Sequence, residues 1–257
     1  MRTSNPAMNP AAFAAERSYA PGQAMTVQGA VNKSFILFGL LLFTASWVWG
    51  KLMTPTEVLG YEAAAQQTNS AVMPFVVGGG IVGFVVALIT IFKRKLSPYT
   101  APIYALCEGF VIGGISAIFE HSYPGIVIQA VGLTFGTLFC MLFLYKTGVV
   151  KVTQKFMMGL AAATGAVCLV YLINFVMGFF GSGIPLITSS GTFGILFSVV
   201  VVGIAAFNLV LDFHIIETGA EQGAPKYMEW YGAFALMVTM IWLYLEILRL
   251  LAKMRRR

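Results

Sequence analysis

The stretch GTFGILFSVVVVGIAAFNLVLD, residues 191–212, carries no charged side chain until its last residue, Asp212. At about 1.5 Å rise per residue, a helix of this length reaches about 33 Å, enough to cross a hydrocarbon core of about 30 Å. Its apolar residues run on without alternating with polar ones, so it does not read as a strand of a membrane barrel. Similar runs fall at 34–50, 73–92, 101–119, 126–145, 156–180 and 231–252. The sequence therefore predicts an all-α membrane protein, a seven-transmembrane-helix bundle.

Composition agrees. Only 10% of the 257 residues are charged and 58% are hydrophobic, whereas soluble domains carry about 25% charge. Lipid must be the solvent for most of this chain. The net charge of +6 does not point to nucleic acid, because the basic residues cluster beside apolar runs, where they act as topology signals and contact lipid headgroups. The expected partners are membrane lipids. Cys107, Cys140 and Cys168 all lie within apolar stretches at spacings that match neither a zinc nor a disulfide pattern. Residues 1–32 read as a flexible polar tail, 33–252 as the transmembrane domain and 253–257 as a basic tail. No apolar run begins before about Phe35, so no cleaved signal peptide is expected.

Basic links alternate with poor ones. The N-terminal tail has Arg2, Arg17 and Lys33, the 93–100 link has Lys93, Arg94 and Lys95, and the 146–155 link has Lys146, Lys151 and Lys155. The links between them hold Lys51 or no basic residue. This places the N-terminus in the cytoplasm. The last span breaks the pattern, because the tail that should lie outside ends Lys253-Met254-Arg255-Arg256-Arg257. Glycines four residues apart, Gly79 with Gly83, Gly109 with Gly113 and Gly132 with Gly136, predict close helix crossings.

Ionisable groups inside spans are costly and usually functional. The candidates are Glu108 in the third run, Asp212 at the end of the sixth, and Glu246 and Arg249 in the seventh. Glu246 and Arg249 are three residues apart on one helix face and suit an ion pair. No serine elbow, H-E-x-x-H cluster, mid-span lysine or phosphate loop occurs, so neither an enzyme nor a cofactor is expected and no metal site is assigned.

The run Gly223-Ala224-Pro225-Lys226-Tyr227-Met228-Glu229-Trp230-Tyr231, leading into Trp242-Leu243-Tyr244-Leu245-Glu246-Ile247-Leu248-Arg249, resembles the C-terminal signature of the bacterial branch of the Bax inhibitor-1 (YccA-like, transmembrane Bax inhibitor motif) family. Pro102 to Gly109 resembles that branch's third helix, and Leu211-Asp212-Phe213 the end of its sixth. The resemblance runs from about residue 30 to 252. It implies a central last helix, a bacterial plasma membrane, and a pH-sensitive calcium-permeable leak gated by an acidic pair, one acid on the sixth helix and one on the seventh. By position Asp212 matches the first and Glu246 the second, with Glu in place of Asp. Calcium would then pass transiently at Asp212 and Glu246, with Glu108 completing the lane. The alternative is a non-conducting regulator that binds a membrane protease or another membrane protein. A solute transporter would favour repeated halves, which the sequence does not display.

Depth raises a difficulty for the pair. From Trp230 and Tyr231 at the membrane surface, Glu246 lies about 24 Å further along a helix, whereas Asp212 lies near that surface. Sharing a proton requires the two carboxyls within about 8 Å, the reach of one bridging water. The acid depths and the basic tail together predict that 213–235 is not a simple loop: part of it would lie along the interface or dip into the bundle and delay the start of the seventh span.

Overall fold

A computed structural model describes residues 24–53, 61–181, 183–184, 187 and 189–256. Lipid offers no partner to a backbone N–H or C=O, so each apolar run satisfies its own backbone as a helix. Seven long helices result among the described residues: α1 (Val27–Met53), α2 (Tyr61–Phe92), α3 (Ser97–Ser122), α4 (Ile126–Lys146), α5 (Gln154–Phe179), α6 (Thr192–Glu221) and α7 (Met228–Arg255). All seven contain a segment long and apolar enough to span a bilayer. The chain is an integral multi-pass membrane protein.

α7 is the central helix. In its most apolar stretch 67% of residues are buried, against 50% for α6, 44% for α3 and 17–22% for the other four. It packs against α1, α3, α4 and α6, while α2 lies outside α3 and α5 lies outside α6. Tyr231, Phe234, Met237, Leu243 and Leu248 of α7 are fully buried.

Glycine lets α1 and α3 touch. A Cβ added at Gly109 would fall 1.9 Å from Thr44 Oγ1 and 2.3 Å from the Leu41 carbonyl oxygen, and one at Gly113 would fall 2.6 Å from the Ala45 carbonyl oxygen. Gly79 meets the Cys107 carbonyl of α3 in the same way. Two of the three expected pairs are thus crossings. Gly132 and Gly136 have open space where a Cβ would go, so on α4 the same spacing marks no crossing.

One end of the bundle is tied together by the α6–α7 turn. Gly223 takes φ 70° there, a left-handed conformation open to glycine. The Met25 N–H donates to the Ala224 carbonyl at 2.6 Å, and the Ser97 hydroxyl donates to the Tyr227 carbonyl at 2.9 Å. Glu229, fully buried, sits against the first turn of α1. It accepts from the Thr26 N–H at 2.9 Å and the Thr26 hydroxyl at 3.1 Å, and it pairs with Lys33 and Lys226. The Thr26 hydroxyl accepts from the Gly29 N–H, so a hydroxyl and a carboxylate both serve the amides at this helix N-terminus. A Cβ at Gly29 would land 2.2 Å from Glu229 Oε1, so a side chain there would displace the carboxylate.

Two expectations need correction. Residues 27–32, assigned to the tail on composition, are the opening of α1. Residues 213–235 do not delay the seventh span. α6 continues to Glu221, α7 starts at Met228, and only a short turn separates them. Residues 1–23 of the expected tail lie outside the described residues. The basic C-terminal end, which conflicted with the charge pattern, finds acceptors where it lies. Arg255 donates to the Pro124 carbonyl at 2.7 Å and to Gln129 at 3.1 Å, and Lys253 donates to the Gly194 carbonyl and the Ser198 hydroxyl.

Because the α1–α3 crossing has no room for a side chain, Gly109→Val is expected to cost about 2–4 kcal/mol of stability. Gly136→Ala, at an equivalent sequence spacing, is expected to stay within about 0.5 kcal/mol. Thermal unfolding of both variants in detergent micelles measures the difference.

Candidate functional site

The antiparallel register of α6 and α7 decides which side chains face each other. Gly232 lies against Ile216, the Thr239 side chain against the Asp212 carboxyl, and Lys253 against Ser198 and Gly194. Asp212 is 1% exposed, and its Oδ2 has no hydrogen-bond partner among the described residues. The Thr239 hydroxyl also points back along its own helix, donating to the Ala235 carbonyl at 3.3 Å.

Glu246 lies seven residues beyond Thr239, about 10 Å further along α7. It is 2% exposed and both of its oxygens are engaged. Arg249 donates to Oε1 at 2.8 Å and the Tyr171 hydroxyl of α5 donates to Oε2 at 2.9 Å. Arg249 also donates to the Tyr171 oxygen at 2.7 Å, and its guanidinium sits 4.9 Å from the Tyr171 ring centre. The expected Glu246–Arg249 ion pair is therefore present. Tyr171, from a helix that touches α7 little otherwise, closes it into a triad.

Glu108 is half-buried at a third interface. It lies near Tyr104, one turn earlier on α3, and its carboxyl lies beside Gly83 of α2. Tyr104 in turn stacks edge-on against Phe234 of α7, with ring centres 5.0 Å apart.

The three acids expected to share a lane are thus placed apart. Glu108 belongs to the α2–α3 contact, Asp212 to α6–α7 and Glu246 to α5–α7. Asp212 and Glu246 do not form an acid pair; the residue of α7 that faces Asp212 is Thr239. Matching by position along the sequence missed this residue. The signal that finds it is the hairpin register: counting outward equally from the turn at Gly223 to Pro225 leads from Asp212 to the neighbourhood of Thr239, not to Glu246.

Other polar groups are tied into helix contacts. Asn208 donates to Thr164 of α5 at 2.9 Å. Glu217 accepts from Tyr145 and from Lys146 of α4, with His214 beside Tyr145. Ser116 of α3 bonds to Tyr244 of α7 at 2.7 Å. Among the described residues, no group of three or more His, Cys, Asp and Glu is placed to hold a metal ion. Among the described residues, Asp212 is the fully buried carboxylate that keeps an oxygen without a partner.

The described helices form a seven-helix membrane bundle with a central last helix. The sequence matches the family described as Bax inhibitor 1 like over residues 5–256. The chain belongs to that family. Compared with individual curated proteins, it finds no match.

The triad reads as a helix–helix tie, so Glu246→Gln and Tyr171→Phe should each lower the unfolding temperature. Combined, they should be less than additive, with a coupling of about 1–2 kcal/mol. A double-mutant cycle of thermal unfolding in micelles checks this. A coupling near zero would remove Glu246 from the α5–α7 contact and return it to the list of candidate functional acids.

Proposed function

We propose that this protein is a proton-responsive cation leak of the Bax inhibitor-1 type, with calcium as the permeant ion that the family resemblance implies. Asp212 alone exchanges the controlling proton. The observation that carries this reading is the buried Asp212 carboxyl, which faces a threonine and keeps one oxygen without a partner. A carboxyl at such a position is expensive. A purely structural role would be filled at lower cost by asparagine or an apolar residue.

The earlier idea of two carboxyls sharing a proton does not suit this geometry. Glu246 is occupied with Arg249 and Tyr171, and Thr239 contributes a hydroxyl where a second acid would be needed. Calcium prefers six to eight oxygen ligands. Asp212 with Thr239 offers few, which favours passage over retention. The groups nearest to Asp212 along α6, His214 and Glu217, are turned toward Tyr145 and Lys146 of α4. Thr239 is the α7 group that faces the acid.

In this reading the membrane is a bacterial plasma membrane. The cytoplasmic face is the end where Lys33, Lys93, Arg94, Lys95, Lys146, Lys151, Lys155 and Lys226 gather. The protein acts without a cofactor and without catalysis.

Calcium flux into liposomes carrying the purified protein tests this. Flux is expected to rise with pH as Asp212 loses its proton and its charge attracts the cation. Asp212→Asn should flatten that dependence. Thr239→Asp, which puts a second carboxyl opposite the first, should split the profile into two steps, because adjacent carboxyls titrate as a pair. A pH profile unchanged by Asp212→Asn would overturn the role of Asp212. Flux equal to that of protein-free liposomes would overturn the leak itself and leave the non-conducting regulator of a membrane protein as the reading.

A further inference from the structure

On the opposite side of α7 from Thr239, a groove of about 330 Å³ opens sideways between α1 and α4. Its floor is α3 and α7, through Ile112 and Gly113 and through Met240 and Tyr244. Its walls are Leu42 and Ala45 on α1 and Val131 on α4. The polar groups on the floor satisfy each other, since Ser116 and Tyr244 are hydrogen-bonded. Nothing charged lines it.

We infer that this groove is a binding site for one acyl chain of a bilayer phospholipid. Three observations lead there. The groove lies wholly within spanning segments, so what reaches it comes from the hydrocarbon layer. Its lining is almost entirely apolar, which suits a ligand with no group to satisfy. Its length suits such an occupant. Along α1 the lining runs from Phe38 to Trp49, about 16 Å at 1.5 Å per residue, which is about the depth of one leaflet of a hydrocarbon core of about 30 Å. A chain lying there rests on buried Ile112 and Met240 and so reaches the central helix from the lipid side.

The site is independent of the leak reading and is tested without flux. The full-length protein is reconstituted in phosphatidylcholine nanodiscs in which a fraction of the lipid carries a diazirine midway along one acyl chain. After irradiation, adducts are mapped by mass spectrometry. Ile112 is 7% and Met240 3% exposed, so lipid merely surrounding the bundle does not reach them. Ile128, 72% exposed on the outside of α4, reports that surrounding lipid. Adducts on Ile112 and Met240 at least as frequent as on Ile128 are expected, and a several-fold loss of them in Val131→Phe, which narrows the groove from its α4 wall. The Ile128 adduct should be unchanged in that variant, which also certifies that it is folded. Should Val131→Phe fail to fold, Leu42→Phe narrows the groove from α1 and carries the same expectation. Adducts at Ile128 with none on Ile112 or Met240 would overturn the site. Displacement of the floor adducts by free fatty acid but not by added unlabelled phospholipid would overturn the phospholipid as its occupant.

Discussion

The register of the α6–α7 hairpin is the constraint on which the rest depends. Two long helices joined by a turn of a few residues cannot slide past each other. Once Gly223 closes the turn, each level of α6 has one level of α7 opposite it. Because α7 is also the central helix, that register is transmitted to α1, α3 and α4, which pack around it. The same turn receives the start of α1 through Met25 and the α2–α3 link through Ser97. One end of the bundle is therefore fixed by a single local structure, and Glu229 is the buried charge that holds α1 to it.

Buried carboxylates in this protein are treated in three ways, and the difference is informative. Glu229 is surrounded by donors and two lysines. Glu246 is held by an arginine and a tyrosine. Both arrangements offset the cost of taking a charge out of water. Asp212 receives neither. The fold supplies charged partners to two acids and, among the described residues, leaves one oxygen of the third without a partner. That contrast separates Asp212 from Glu246 more sharply than depth in the membrane or sequence motif does.

Much of the architecture was legible in the residues. Seven apolar runs gave seven helices, and Gly109 with Gly113 marked a real crossing. Gly132 with Gly136 did not, because small-residue spacing shows only that a helix has a smooth face, not that a neighbour uses it. The basic tail departs from the alternation of basic and poor links. Lys253 and Arg255 have acceptors on α6, on the α3–α4 turn and on α4, which a count of charges cannot reveal. The irregular segment expected at 213–235 rested on the acid depths and the basic tail. Asp212 and Glu246 do not meet, and the two helices run up to a short turn between Glu221 and Met228.

The sequence by itself determined the solvent, the number of spans, the Bax inhibitor-1 resemblance and the short list of intramembrane acids. Those follow from local quantities: run length, charge density and residue identity. Only the tertiary structure decided that Thr239 faces Asp212, that Tyr171 closes the Glu246–Arg249 pair, that Glu108 belongs to another interface, and that α1 and α4 part to leave an apolar groove. These depend on helix register and rotation, where a shift of one residue turns a side chain by about 100°. The run 191–212 ends on the buried acid Asp212, but what stands opposite it is set by a turn eleven residues later.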